Sequence, residues 1–130
     1  MIQNSVEFLL MSDHSCEAVI VTCIDFRFQE YINNWISQNF SPKSFDRVAI
    51  AGGVFDFDYV LKQIEISKRL HHIKKVALIN HEDCGAYGEA GTAEKHAEDL
   101  RNSAEKIKQQ YPDLEIQTFY LHLDGTFENI

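Results

Sequence analysis

The chain has 130 residues, of which 45% are hydrophobic and 25% charged, and a formal net charge of -8. That length suits one domain able to bury roughly two thirds of the surface its unfolded chain exposes. The acidic balance argues against nucleic acid or an anionic membrane as partner, since both reward Lys and Arg. No apolar run approaches the roughly 18 residues of a membrane span. No Lys or Arg precedes the short apolar segment Val6–Met11, which speaks against a secretory signal. The three cysteines therefore read as reduced thiols in a cytoplasmic protein.

In chain order, residues 1–16 are a polar arm with one apolar patch, and residues 17–130 form the domain. Glu17–Cys23 reads as a buried strand around Ala18-Val19-Ile20-Val21-Thr22. Phe28, Tyr31, Ile32, Trp35, Ile36 and Phe40 recur at helical spacing, predicting a helix over 28–39 that Ser41-Pro42 stops. Arg47–Ala51 is a second strand, closed by Gly52-Gly53. A second helix carries Phe57, Val60, Leu61, Ile64 and Leu70 on its apolar face. Lys75–Asn80 is the third strand, and a loop rich in small residues follows, from Gly85 to Gly91. Thr92 caps a third helix with the face Ala97, Leu100, Ala104, Ile107 and Tyr111. Pro112-Asp113 turns the chain into a fourth strand, Leu114–Leu123, and Asp124-Gly125 turns it into a short tail.

Strands and helices in strict alternation predict an α/β domain: an open, mainly parallel four-stranded sheet with helices on both faces. Right-handed crossovers in the order 2-1-3-4 set the first and third strands side by side. Ligands of such sheets bind beyond the carboxyl ends of the strands. At that edge the first strand ends in Cys23, and the third ends in Asn80-His81-Glu82-Asp83-Cys84-Gly85. Two thiolates and one imidazole then meet, a set that leaves the fourth position of a zinc ion open. Other familiar sites are missing. No glycine-rich phosphate loop follows a strand, and no Cys-x-x-Cys occurs. Cys23 and Arg27 stand too close for the phosphate-binding loop of a cysteine phosphatase.

The two motifs, Cys23-Ile24-Asp25-Phe26-Arg27 and His81-Glu82-Asp83-Cys84, resemble the signatures of the β-class carbonic anhydrases, and the likeness runs from about Ala18 to Gly91. The resemblance implies a zinc lyase that hydrates carbon dioxide reversibly to bicarbonate. Cys23, His81 and Cys84 would be the zinc ligands. Asp25 and Arg27 would be the catalytic dyad, with Asp25 orienting the attacking oxygen and Arg27 keeping Asp25 ionised. In pH-switched members the matching Asp leaves its Arg and becomes the fourth zinc ligand. Family habit, with Phe8, Leu9, Leu10 and Met11 in the arm, implies a homodimer or a larger even oligomer.

Two positions depart from the family pattern. Phe26 stands where Ser is common, and Ile50 lies in Ala49-Ile50-Ala51-Gly52 where Arg-Asn-Ala-Gly is usual. Both would make the pocket more apolar. That would suit the same zinc site acting on carbonyl sulfide or carbon disulfide; a catalytically silent zinc-binding domain is the alternative from another class. The other histidines have ordinary readings: His71 and His72 as surface groups at a helix end, and His14, His96 and His122 as polar positions. Asp83 reads equally as a group supporting the site or a solvated loop acid. Cys16 reads as a buried apolar residue, and Phe55, Phe57 and Tyr87 as core or interface aromatics.

Overall fold

Five fully buried residues, Ala18–Thr22, form β1, at the heart of the sheet in a computed structural model that describes residues 14–130. Side chains alternate along a strand, so Val19 and Val21 face one core while Ala18 and Ile20 face the other. An all-apolar strand is what a parallel sheet covered on both faces demands. Its neighbours are β2 (Phe45–Ala49) and β3 (Lys75–His81), both parallel to it. Beyond β3 come β4 (Glu115–Leu121), also parallel, and β5 (Phe127–Asn129), antiparallel.

The sheet order is β2-β1-β3-β4-β5, so the expected 2-1-3-4 core is present with one more strand at its edge. Element bounds also differ from expectation, most of all at β2. β2 begins at Phe45 and ends at Ala49; Ile50 follows the strand and donates its amide to the Thr22 carbonyl. β5 is three residues from the stretch read as a tail. The expected arm falls on residues 1–16, nearly all of it outside the described residues, as do Phe8, Leu9, Leu10 and Met11.

Helix α1 (Gln29–Asn39) covers one face through Ile32 and Ile36, with Trp35 packing on Phe119 and Phe127. Helices α2 (Phe57–His71) and α3 (Ala93–Gln110) cover the other. Asp56 and Thr92 cap these two by accepting the amides of Tyr59 and Lys95. In α2 the apolar face includes Val60 and Ile64, whereas Leu70 is half exposed and Ile73, just past the helix, takes its place in the core. In α3 the buried stripe is His96, Leu100, Ser103 and Ile107. His96, read as an ordinary polar position, is thus fully buried. No described helix is long and apolar enough to cross a membrane.

Candidate metal centre

The register of β1 against β3 pairs Val21 with Leu78. Continued two residues, it brings Cys23 level with Asn80 and next to His81. Cys84 returns to the same point because Asp83 takes a left-handed conformation, φ 58°, which turns the chain sharply after β3. Asp tolerates that region better than most residues. One donor atom each of Cys23, His81 and Cys84 lies within 4.8 Å of the others, and all three residues are buried. Topology thus brings together the three residues that the sequence motifs single out.

The donor set suits a zinc ion on a structural observation. His81 Nδ1 sits 2.7 Å from the Glu82 carbonyl, a contact that requires a proton on Nδ1, so that the neutral ring carries its lone pair on Nε2. That Nε2 is buried and has no hydrogen-bond partner among the described residues. An orphaned imidazole lone pair between two thiols is the arrangement a borderline-soft ion satisfies. Phe28 stacks on the His81 ring with centroids 4.2 Å apart and fixes its plane.

The Cys23 sulfur accepts the Gly52 amide at 3.3 Å. Gly52 has φ 85°, and a Cβ there would stand 2.5 Å from Phe55 Cβ, so this turn needs glycine. Burial alone would raise the Cys23 pKa. In the protein without metal, a protonated His81 ring and the amides of Gly52 and Asp25 outweigh it and pull the thiol below its ordinary range. Cys84 moves the other way: burial raises it, and the nearby Cys23 adds to the effect.

Asp25 lies beside this cluster, its Oδ2 3.8 Å from His81 Nε2. Arg27 grips it with Nε at 3.1 and 3.2 Å and Nη2 at 2.7 Å. Asp25 also accepts the Arg27 amide at 2.9 Å, capping the short turn Phe26–Phe28. The Arg27 hydrogen bonds hold the Asp25 carboxyl down at about 2, so it is ionised throughout the neutral range. Gln29 braces the loop from behind, donating to the carbonyls of Cys23 and Asp25. In this structure Asp25 is paired with Arg27.

Phe26 and Ile50 are not buried with the cluster. Phe26 is 86% exposed and Ile24 59%. Ile50 packs partly buried against the core of the α2 and α3 face. The apolar character expected around the site is instead a rim on the outer surface, with Phe55 also exposed and its ring against Tyr87.

Behind the cluster lies a buried polar network that sequence reasoning did not identify. Asn80 accepts the Val54 amide at 3.1 Å and donates to Tyr87 Oη at 3.1 Å and His96 Nδ1 at 2.9 Å. Tyr87 Oη in turn donates to Asp99 at 2.8 Å, and Lys95 holds Asp99 from outside. The one signal in the sequence is the adjacency of Asn80 to His81, a polar side chain where a buried strand asks for an apolar one.

A sequence model of the family described as "Putative carbonic anhydrase" matches residues 13–130. An uncharacterized protein of Rickettsia conorii is 29% identical, over 90% of this chain and 73% of its own. Among solved structures, the carbonic anhydrase from Glaciozyma antarctica superposes with a TM-score of 0.67 at 16% identity, covering 98% of this chain and 94% of that one. The apo form of carbon disulfide hydrolase superposes with a TM-score of 0.61 at 13% identity, covering 95% and 86%. The family match spans every described strand and helix, and the chain belongs to the carbonic anhydrase family as a divergent member with the β-class fold.

Proposed function

We propose that this protein is a zinc enzyme that interconverts carbon dioxide and bicarbonate. The observation that carries the reading is the convergence of Cys23, His81 and Cys84 beside a carboxylate that Arg27 holds ionised. In this reading Cys23, His81 and Cys84 are the ligands, and the charges of two thiolates balance that of the ion. Zinc bound there supplies Lewis acidity, which brings the pKa of water towards neutrality.

The chain's own residues then do the positioning. Asp25, ionised and acceptor-only, takes a proton donor's hydrogen bond and so turns the attacking oxygen's lone pair towards the carbon of the substrate. Arg27 prevents Asp25 from rotating away, because both of its carboxylate oxygens are engaged. Glu82, through its carbonyl, keeps the proton on His81 Nδ1 and the lone pair on Nε2. Phe28, stacked on His81, and Tyr87, packed with Cys23 and Cys84, keep water from the core side of the cluster.

The exposed apolar rim of Ile24, Phe26 and Phe55 favours a second reading, in which the same site acts on carbon disulfide or carbonyl sulfide. The rim also supports a homodimer or a larger even oligomer in which a second copy covers it. A location in the cytoplasm goes with free thiols at the site.

Stopped-flow carbon dioxide hydration on the full chain, run with elemental analysis, tests the proposal. The expected result is close to one zinc per chain at this site and hydration that depends on it, with Cys23→Ser, His81→Ala and Cys84→Ser each losing that zinc. Zinc-loaded protein that is inert to carbon dioxide but consumes carbon disulfide would favour the second reading. Inertness towards both would leave a zinc-binding domain without turnover.

A further inference from the structure

A second cluster of unlike donor atoms sits at the opposite edge of the sheet, where the strands begin. Cys16 lies just ahead of β1, Asp46 is in β2, and His71 ends α2. One ligand atom of each lies within 4.8 Å of the others, and all three residues are half-buried. Three separate elements are pinned together to make this cluster. The Cys16 amide donates to the His71 carbonyl at 2.9 Å, and Glu17 donates to Ser44 next to β2. Asp46 and Val48 share the face of β2 turned towards α2, where Cys16 packs against the same core.

The side chains are already oriented towards one another. His71 Nδ1 is 2.6 Å from Asp46 Oδ2, and Ser67 Oγ donates to that same oxygen at 2.6 Å. His14 places its ring centroid 6.3 Å from that of His71, a further imidazole within reach of the cluster. Cys16 lines one surface cleft while Asp46 and His71 line another, so an ion can enter from solvent.

We propose that Cys16, Asp46 and His71 form a second metal-binding site, distinct from the Cys23–His81–Cys84 centre, for a borderline-soft divalent cation of the zinc class. The chemistry selects that class. Magnesium and calcium ask for oxygen donors alone, whereas zinc takes thiolate, imidazole and carboxylate together. A thiolate and a carboxylate cancel the charge of a divalent ion, and the Ser67 hydroxyl steadies the carboxylate as outer partners of ligands do. The ion would tie β1, the edge strand β2 and the end of α2 at one point. A hydrogen-bonded Ser67–Asp46–His71 set that only anchors α2 is the competing account, and it needs neither Cys16 nor a metal.

Cadmium-113 titration of the full chain followed by NMR separates the two. The expected result is two equivalents bound, with a resonance for two sulfur ligands and a second, at lower shift, for one. Cys16→Ser should remove the one-sulfur signal and keep the other, while Cys23→Ser/Cys84→Ser should do the reverse. Asp46→Asn should weaken the second site at least tenfold in zinc competition and serves alone should Cys16→Ser fail to fold. Saturation of the wild type at one equivalent that gives only the two-sulfur signal overturns the proposal. So does a second equivalent that survives both Cys16→Ser and Asp46→Asn. A wild type that shows only the one-sulfur signal would leave this site standing and count against the Cys23–His81–Cys84 assignment instead.

Discussion

Arg27 donates twice to Asp83, from Nη1 to the carboxylate at 3.0 Å and from Nη2 to the main-chain carbonyl at 2.9 Å. Its remaining donors hold Asp25, so one guanidinium joins the motif after β1 to the motif after β3. The carbonyl contact also secures the left-handed Asp83 on which the placement of Cys84 depends. The two Asp83 contacts should differ in worth, since the carboxylate is 70% exposed and exposed pairs contribute about 0–1 kcal/mol. Asp83→Asn, which keeps the carbonyl contact, should lower hydration only a few-fold. Arg27→Gln should lower it about a hundredfold, or about 2.7 kcal/mol, with zinc retained. Equal losses in both variants, read by stopped flow, would contradict this division.

In the proposed enzyme, Asp25 should be the residue that separates turnover from metal binding. Asp25→Asn keeps the size of the side chain but loses the charge that Arg27 pairs with. It should keep its zinc and lose on the order of a hundredfold in rate, about 2.7 kcal/mol of barrier. Because Arg27 holds Asp25 ionised down to about 2, the wild-type rate should show no Asp25 ionisation between pH 5 and 9. An activity loss centred near pH 5 that Asp25→Asn abolishes would show that Arg27 does not control this carboxyl.

Assembly should follow from the rim. Ile24, Phe26 and Phe55 are all more than half exposed on one chain, beside a site that needs water kept from one side. Light scattering should report a particle of twice the 15.0 kDa chain or an even multiple of it. Phe26→Asp should shift the distribution towards the single chain. A wild-type particle of one chain at micromolar concentration would refute the dimer.

Much of this fold was legible because β1 and β3 are short branched apolar runs, a pattern that a sheet buried on both faces produces and little else does. The site was legible for a local reason: each motif is contiguous, and strand adjacency does the rest. β2 was harder. As the edge strand it carries Phe45, Asp46 and Arg47, half-buried or exposed, so the apolar run Val48–Ala51 drew the expected strand two residues late. β5 is too short for any periodicity to show. His96 was hidden by its neighbour Ala97, which fills an apolar slot in the helical pattern while the imidazole is the residue buried. The Cys16, Asp46 and His71 cluster spans 55 residues of separation, from 16 to 71, with no local motif.

Asn80 is the hub that this pattern reading misses, and its removal should be costly. Asn80→Ala would leave the buried Val54 amide without its acceptor and His96 Nδ1 without its donor. Each buried group left unsatisfied costs about 1–3 kcal/mol. A loss of about 3 kcal/mol in urea unfolding is expected, with weaker zinc retention because Val54, Tyr87 and His81 all adjoin the hub. A change below 1 kcal/mol would mean that solvent reaches the network.

His96 should make the stability of the protein depend on acid. Its ring is fully buried, with Nδ1 accepting from Asn80 and Nε2 without a partner among the described residues. The groups facing it are Tyr87 and Tyr120 by ring contact, His81 from β3 and Asp99 from its own helix. Burial pulls its pKa down to about 4 from an ordinary 6.5, His81 adds to the fall, and Asp99 only partly opposes it. The unfolded chain therefore binds a proton between those two values that the folded chain does not. The neutral ring's contribution is complete above pH 6.5 and is lost as pH falls from there through about 4. Urea unfolding at pH 7 and pH 5 should show the wild type losing more than His96→Gln, by on the order of 2 kcal/mol. Gln keeps an acceptor for Asn80 but cannot be protonated, so the comparison isolates the imidazole. Parallel losses in the two proteins would mean that His96 is already charged in the folded state.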